Sequence, residues 1–213
     1  VNTLDGDFTG SVFGDDSTLL VDGINNKIVG AVDTASLRTS ETKIALGSNA
    51  GYTTQGASAV AIGDQAGETN QGSRAVAIGK RAGETTQGTS AVAIGDQAGK
   101  TTQGTSATAV GPYAGYTGQG GYSVAVGYAA GTTAQGEYGI AIGKSAGYTN
   151  QAANSIVINA TGSAVENTTA SSLVIKPIRS AAMTTILGYN AGTGEVTHNA
   201  AIPGYINIAD LKT

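Results

Sequence analysis

Residues 76–91 read VAIGKRAGETTQGTSA, and residues 92–107 read VAIGDQAGKTTQGTSA. The second differs from the first at three places only: Asp96 for Lys80, Gln97 for Arg81 and Lys100 for Glu84. The same period runs outward both ways. Upstream stand IALGSNAGYTTQGASA (44–59) and VAIGDQAGETNQGSRA (60–75). Downstream stand TAVGPYAGYTGQGGYS (108–123), VAVGYAAGTTAQGEYG (124–139), IAIGKSAGYTNQAANS (140–155) and a fading IVINATGSAVENTTAS (156–171). A fixed period over this length is the signature of stacked, self-similar units.

Each row holds two short strand-like pieces between glycines, VAIG and TxQ. Both are too short and too bounded by glycine for helix, and the VAIG piece is rich in β-branched residues. One row therefore predicts one coil of an all-β solenoid, its strands parallel to those of the next row. At ~4.8 Å per stacked strand, eight coils make a rod on the order of 40 Å long.

Column variability predicts the faces. Thr and Gln recur two residues apart, as in Thr69 and Gln71, Thr85 and Gln87, Thr101 and Gln103. In an extended strand such residues share a face, here the inner one, and stacked glutamines can form an amide ladder. In the VAIG strand both faces are fixed. Val60, Ile62, Val76, Ile78, Val92 and Ile94 form one; Ala61, Ala77 and Ala93 form the other. One face suits the coil interior. The other needs a cover that a thin solenoid lacks, which predicts an oligomer packed along this strand.

Composition agrees with a thin core. The 213 residues include 33 Gly, 40% are hydrophobic and only 12% charged, with no Cys or Trp. Net charge is −4, with no basic run, so nucleic-acid binding is not expected. No apolar run approaches membrane-spanning length, so membrane insertion is not expected. The chain opens on Val1-Asn2-Thr3 and is expected to be a piece of something longer.

The pieces SAVAIG (58–63 and 90–95), RAVAIG (74–79), YSVAVG (122–127) and YGIAIG (138–143) resemble the head repeats of YadA-like trimeric adhesins. The resemblance covers residues 44 to about 159. It implies a left-handed parallel β-roll and a homotrimer. The family's usual repeat is 14 residues, whereas this one has 16 and carries an AGxTxQG arm. DGDFTGSVFGDDSTLLVDGINNKIVG (5–30) resembles a segment of fibre proteins of marine tailed phages and other large DNA viruses. LVIKPIRSAAMTTILGYNAGTGEVTH (173–198) resembles the segment that closes such fibre shafts.

The expected organisation is an N-terminal capping or attachment module (1–43), a β-roll of about eight coils (44–171) and a C-terminal cap (172–213). In the first module, Thr18–Val21 and Lys27–Val29 suggest a hairpin turned at Asp22-Gly23 and Asn25-Asn26. In the last, turns are expected at Asn190-Ala191-Gly192 and Pro203-Gly204.

Catalytic chemistry finds few parts. Gly95, Gly99, Lys100 and Thr101 imitate a phosphate loop, but Ile94 stands where its first glycine belongs and no helix follows. His198 is the sole histidine, and the neighbouring acids Asp15 and Asp16 read as solvated loop residues. No cofactor is expected. The alternative is calcium at Asp5, Asp7 and Asp16, which with Thr9 and Gly10 partly fit EF-hand spacing. Asn159-Ala160-Thr161 and Asn167-Thr168-Thr169 match the glycosylation acceptor. Outward columns carry charge in the early rows and tyrosine later: Tyr113, Tyr116, Tyr122, Tyr128, Tyr138 and Tyr148. Such residues suit contact with a host-surface protein or glycan, or else pack on one another and stiffen the rod.

The sequence thus predicts a non-enzymatic virion fibre segment: a rigid spacer, joined to other virion proteins and engaged in host attachment. The alternatives are a bacterial surface adhesin head and a polysaccharide-degrading β-solenoid enzyme. The enzyme needs clustered carboxylates, which these columns scatter.

Overall fold

The computed structural model describes residues 43–178, 186–190 and 192–199, together with the backbone of 11–13, 19–22 and 27–28. The chain divides into two compact units, Val1–Lys176 and Pro177–Thr213. All regular structure among the described residues is β.

The N-terminal strands are β1 (Ser11–Phe13), β2 (Leu19–Asp22) and β3 (Lys27–Ile28). They pair antiparallel in that order, with Val21 opposite Ile28 and Asp22 opposite Lys27. Asp5, Asp7, Thr9, Gly10, Asp15 and Asp16 lie outside the described residues, as do the expected turns at Asn25-Asn26 and Pro203-Gly204.

From residue 44 the two strand types alternate. The first coils give β4 (Ile44–Leu46), β5 (Thr53–Gln55), β6 (Val60–Ile62), β7 (Thr69–Gln71), β8 (Val76–Ile78) and β9 (Thr85–Gln87). Next come β10 (Val92–Ile94), β11 (Thr101–Gln103), β12 (Thr108–Val110), β13 (Thr117–Gln119) and β14 (Val124–Val126). The last are β15 (Ile140–Ile142), β16 (Ile156–Asn159) and β17 (Leu173–Lys176). The VAIG strands form one nine-stranded parallel sheet, β17-β16-β15-β14-β12-β10-β8-β6-β4. The TxQ strands form a second, β13-β11-β9-β7-β5. Each coil from 44 to 123 contributes one strand to each wall and the later coils only to the first, which makes a β-solenoid of about eight turns.

Register follows the repeat. Val76, Ala77 and Ile78 lie opposite Val92, Ala93 and Ile94, 16 residues on. The spacing holds to the last pair, where Ile156 lies opposite Leu173, so the final coil has 17 residues. β17 joins the wall through Lys176, which carries the solenoid past the expected end at 171. In the second unit, β18 (Ile186–Asn190) pairs antiparallel with β19 (Glu195–Asn199). The Asn190 side-chain oxygen accepts from the N–H groups of Gly192 and Thr193 (2.9 and 3.3 Å) and holds the predicted turn.

The core is as thin as the composition implies. Ala61, Ala77, Ala93, Ala109, Ala125 and Ala141 point inward and are fully buried, as are Ala66, Ala82, Ala98, Ala114, Ala130 and Ala146. The large buried side chains are glutamines: Gln71, Gln87, Gln103, Gln119, Gln135 and Gln151. Each donates from Nε2 to a carbonyl 11 residues earlier, as Gln87 does to Val76 (2.9 Å) and Gln103 to Val92 (2.8 Å). This bond ties the TxQ wall to the VAIG wall across the coil.

Corners are made by positive φ. In coil 60–75 the residues are Gly63 (126°), Gln65 (58°), Gly67 (53°), Asn70 (54°) and Arg74 (59°). Left-handed residues other than glycine turn their N–H groups back, as Gln65 donates to Ser48 and Arg74 to Ala57 (2.7 and 2.8 Å), whereas Gly67 donates forward to Ala82 (2.8 Å). Extended neighbours donate forward, as Thr69 does to Glu84 (2.8 Å). Each interior coil is thereby bonded to both neighbours. Glycine is required where coils touch. A Cβ on Gly79 would sit 2.6 Å from the Gly95 carbonyl oxygen.

The same geometry corrects the reading of the TxQ strand. Its middle residue is left-handed, as at Asn70, Thr86 (57°) and Thr102 (55°). That breaks the two-residue alternation, so Thr and Gln do not share a face. Gln71, Gln87 and Gln103 are buried, whereas Thr85 is exposed and Thr69 and Thr101 are half-buried. The threonines are therefore not part of the inward ladder.

Candidate interaction surfaces

With alanine turned inward, the VAIG wall presents its Val and Ile residues outward. Val60, Ile62, Val76, Ile78 and Val92 are half-buried, and Ile94 is exposed. Ile94 and Ala93 are therefore not both buried in the single chain. The stripe continues through Val110, Val126, Ile142, Ile158 and Ile175, each on the strand adjacent to the one before or after it. At the first strand Ile44 and Leu46 stand 48% and 58% exposed. Contiguous apolar surface of this kind makes the stripe a candidate contact face.

The glutamine ladder lies behind the opposite wall. Gln71 donates to Gln87 (3.2 Å), Gln87 to Gln103 (3.0 Å), Gln103 to Gln119 (3.0 Å) and Gln135 to Gln151 (3.2 Å). Asn167, 16 residues after Gln151, takes the same place. It is buried, and its Nδ2 reaches the Ile156 carbonyl (3.5 Å). Its column position was the signal in the sequence, masked by the shorter side chain.

Two groups of tyrosines occupy two corners. Tyr122 and Tyr138 stack with ring centroids 5.3 Å apart and planes 6° from parallel, both about half exposed. On the other corner Tyr113 meets Tyr116 (5.8 Å) and, edge-on, Tyr128 (5.9 Å). Gln97 Nε2 donates to the Tyr113 hydroxyl (3.1 Å). Tyr148 is exposed in the column of Tyr116, two coils further on. Tyr113, Tyr116, Tyr122, Tyr128 and Tyr138 thus pack on one another, and Tyr122, Tyr128, Tyr138 and Tyr148 remain exposed.

The phosphate-loop imitation dissolves in the coil. Gly95 and Gly99 are corner glycines with φ of 129° and 53°. Lys100 is drawn to its neighbours in adjacent coils: Glu84 at 3.7 Å on one side, and the Tyr116 hydroxyl at 3.4 Å and ring at 5.2 Å on the other. Nothing here cradles a phosphate. Both glycosylation acceptors have committed amides. Asn159 donates to Lys144 and Ser163 (2.7 and 2.6 Å), and both Asn159 and Asn167 are buried. The folded chain does not present either nitrogen to a modifying enzyme. The backbone of His198 lies in β19, opposite Leu187. Among the described residues, no three His, Asp or Glu side chains are grouped to hold a metal ion.

Comparison of the chain with protein-family models, with curated proteins and with solved structures finds no match.

Proposed function

We propose that the chain is a segment of a homotrimeric virion fibre, a rigid spacer that presents its outer corners to the host surface. The observation that carries the proposal is the outward Val and Ile stripe, continuous along the VAIG wall. Three copies packed along it around a common axis would remove it from water. The number three and a left-handed coil rest on the resemblance to YadA-like heads. The virion setting rests on the resemblance of both flanks to fibre proteins. The flanking segments serve as caps and as joints to other virion proteins, and three identical outer faces would multiply weak host contacts into avidity.

Light scattering on the purified chain tests the assembly. The expected mass is three times 20.9 kDa, and a stable monomer overturns the proposal. Replacing Ile78 and Ile94 by Asp should dissociate it, because charges cannot be buried on that axis without partners. Antibody labelling of virions tests the setting: label on a projecting fibre supports it, and label on a bacterial surface instead overturns it.

A further inference from the structure

The sequence repeats through the boundary between coils 108–123 and 124–139, and so do the backbone bonds, with Thr117 donating to Thr132 and Gly120 to Gln135 (2.8 Å each), but the side-chain ladder does not. At every other interior step from Gln71 to Gln151, a glutamine Nε2 reaches the next Oε1. Gln119 accepts from Gln103, but its own Nε2 keeps a single bond, to the Thr108 carbonyl (2.9 Å), and the buried Gln135 Oε1 has no partner. The ladder is also missing at its first step, where Gln71 Oε1 is unpartnered and Gln55 Nε2 goes to Ile44 and Ala59. The TxQ sheet stops at the same boundary. Beyond β13 only isolated bridges remain, Thr117 to Thr133 and Thr133 to Thr149.

Local sequence loosens the chain there too. Gln119 sits between Gly118 and the pair Gly120-Gly121. Gly120 is demanded by packing, since a Cβ would lie 2.6 Å from Glu137 N. Gly118 is not: its Cβ would find nothing nearer than 3.7 Å. The alanine column 59, 75, 91, 107 also gives way to Ser123 and Gly139.

The outside of this boundary is bridged instead. Tyr113 and Tyr122 belong to the coil before it, Tyr128 and Tyr138 to the coil after. Both inter-coil ring contacts, Tyr113 with Tyr128 and Tyr122 with Tyr138, cross it, one on each corner. The VAIG wall passes through unbroken, with Thr108, Ala109 and Val110 opposite Val124, Ala125 and Val126.

We infer that this boundary is a joint: the VAIG wall is its hinge, the interrupted glutamine ladder its opening edge, and the two tyrosine pairs its outer clasps. The solenoid is then two blocks, before and after residue 123, which part first on the TxQ side. The inference is independent of the oligomer and of any host contact.

Hydrogen exchange on the full chain, resolved by peptide, tests it. Amides of 117–123 and 132–139 should exchange about tenfold faster than their equivalents at 85–91 and 101–107, while β12 and β14 stay protected. Tyr113→Ala with Tyr138→Ala, one ring from each clasp, should raise exchange at this boundary by a further tenfold or so, the scale of two aromatic pairs. Tyr113→Phe with Tyr138→Phe should leave it unchanged. Equal protection at all interior boundaries overturns the joint, and a rise spread evenly along the chain in the alanine variant overturns the clasps. Should that variant fail to fold, the wild-type profile still decides.

Discussion

The two walls of the solenoid are built from equally regular sequence, yet one runs through nine strands and the other through five. The VAIG strand is extended throughout. Its backbone pairs in register with both neighbours, and its inner alanines fit whatever lies across the coil. The TxQ strand has a left-handed residue at its centre, so it pairs only through its outer two residues, as Thr85 with Thr101 and Gln87 with Gln103. Backbone bonds such as Thr85 to Lys100 and Gly88 to Gln103 (2.8 Å each) still join it to its neighbours, and one buried glutamine ties it across the coil. A wall paired at every residue tolerates drift in sequence; a wall paired at fewer residues and reinforced by a side-chain ladder weakens where one amide loses its partner.

Substitutions in the two walls break or sharpen this contrast. The largest effect is expected from Gly79→Ala in the corner that follows the VAIG strand. A Cβ there meets the Gly95 backbone at φ 124°, and the forced shift plus conformational strain should cost about 3 kcal/mol, read from denaturant unfolding. Next comes Gln87→Leu. It removes donors to Val76, Ala91 and Gln103 and the acceptor of Gln71, at about 2–3 kcal/mol. Gln119→Leu, which removes the bond to Thr108 and the acceptor of Gln103, should cost visibly less; equal losses would show that the ladder is not what holds the TxQ wall. Thr86→Asn should stabilise by about 0.5–1 kcal/mol, since a β-branched residue is poorly suited to left-handed φ and Asn70 already serves in that column. The smallest effect belongs to Thr85→Val. The exposed position should hold unfolding within about 0.5 kcal/mol, where an inward threonine would not.

The coil, its period and the inward glutamines were legible because each leaves a mark on a column of the sequence. Gln71, Gln87 and Gln103 never vary, and a buried amide with a stacked partner is the reason. The orientation of the VAIG strand was not read from the sequence, since all three columns are apolar and hydrophobicity does not say which side is the interior, although the Ala77 column varies less than those of Val76 and Ile78. Volume decides it. The space opposite is filled by a glutamine, and only a methyl fits beside it. The kink at Thr86 was hidden for another reason: Thr is a strand former, and three residues are too few to betray a break in alternation. The joint after residue 123 was hidden because Gln119 and Gln135 keep the column intact. What fails there is the amide bond between them, which no single letter records.

The contact between Gly79 and Gly95 also governs how this molecule can change in length. Corner backbones touch, so neighbouring coils cannot slip, and a deletion of a few residues throws every later corner out of place. Deletion of residues 76–91 does not: it joins Ala75 to Val92, a junction of the same kind as Ala91 to Val92. Glu68 then faces Lys100 in the place of Glu84. The gene can thus lengthen or shorten the solenoid by whole coils of 16 codons, and unequal recombination between near-identical rows is a ready source of such steps.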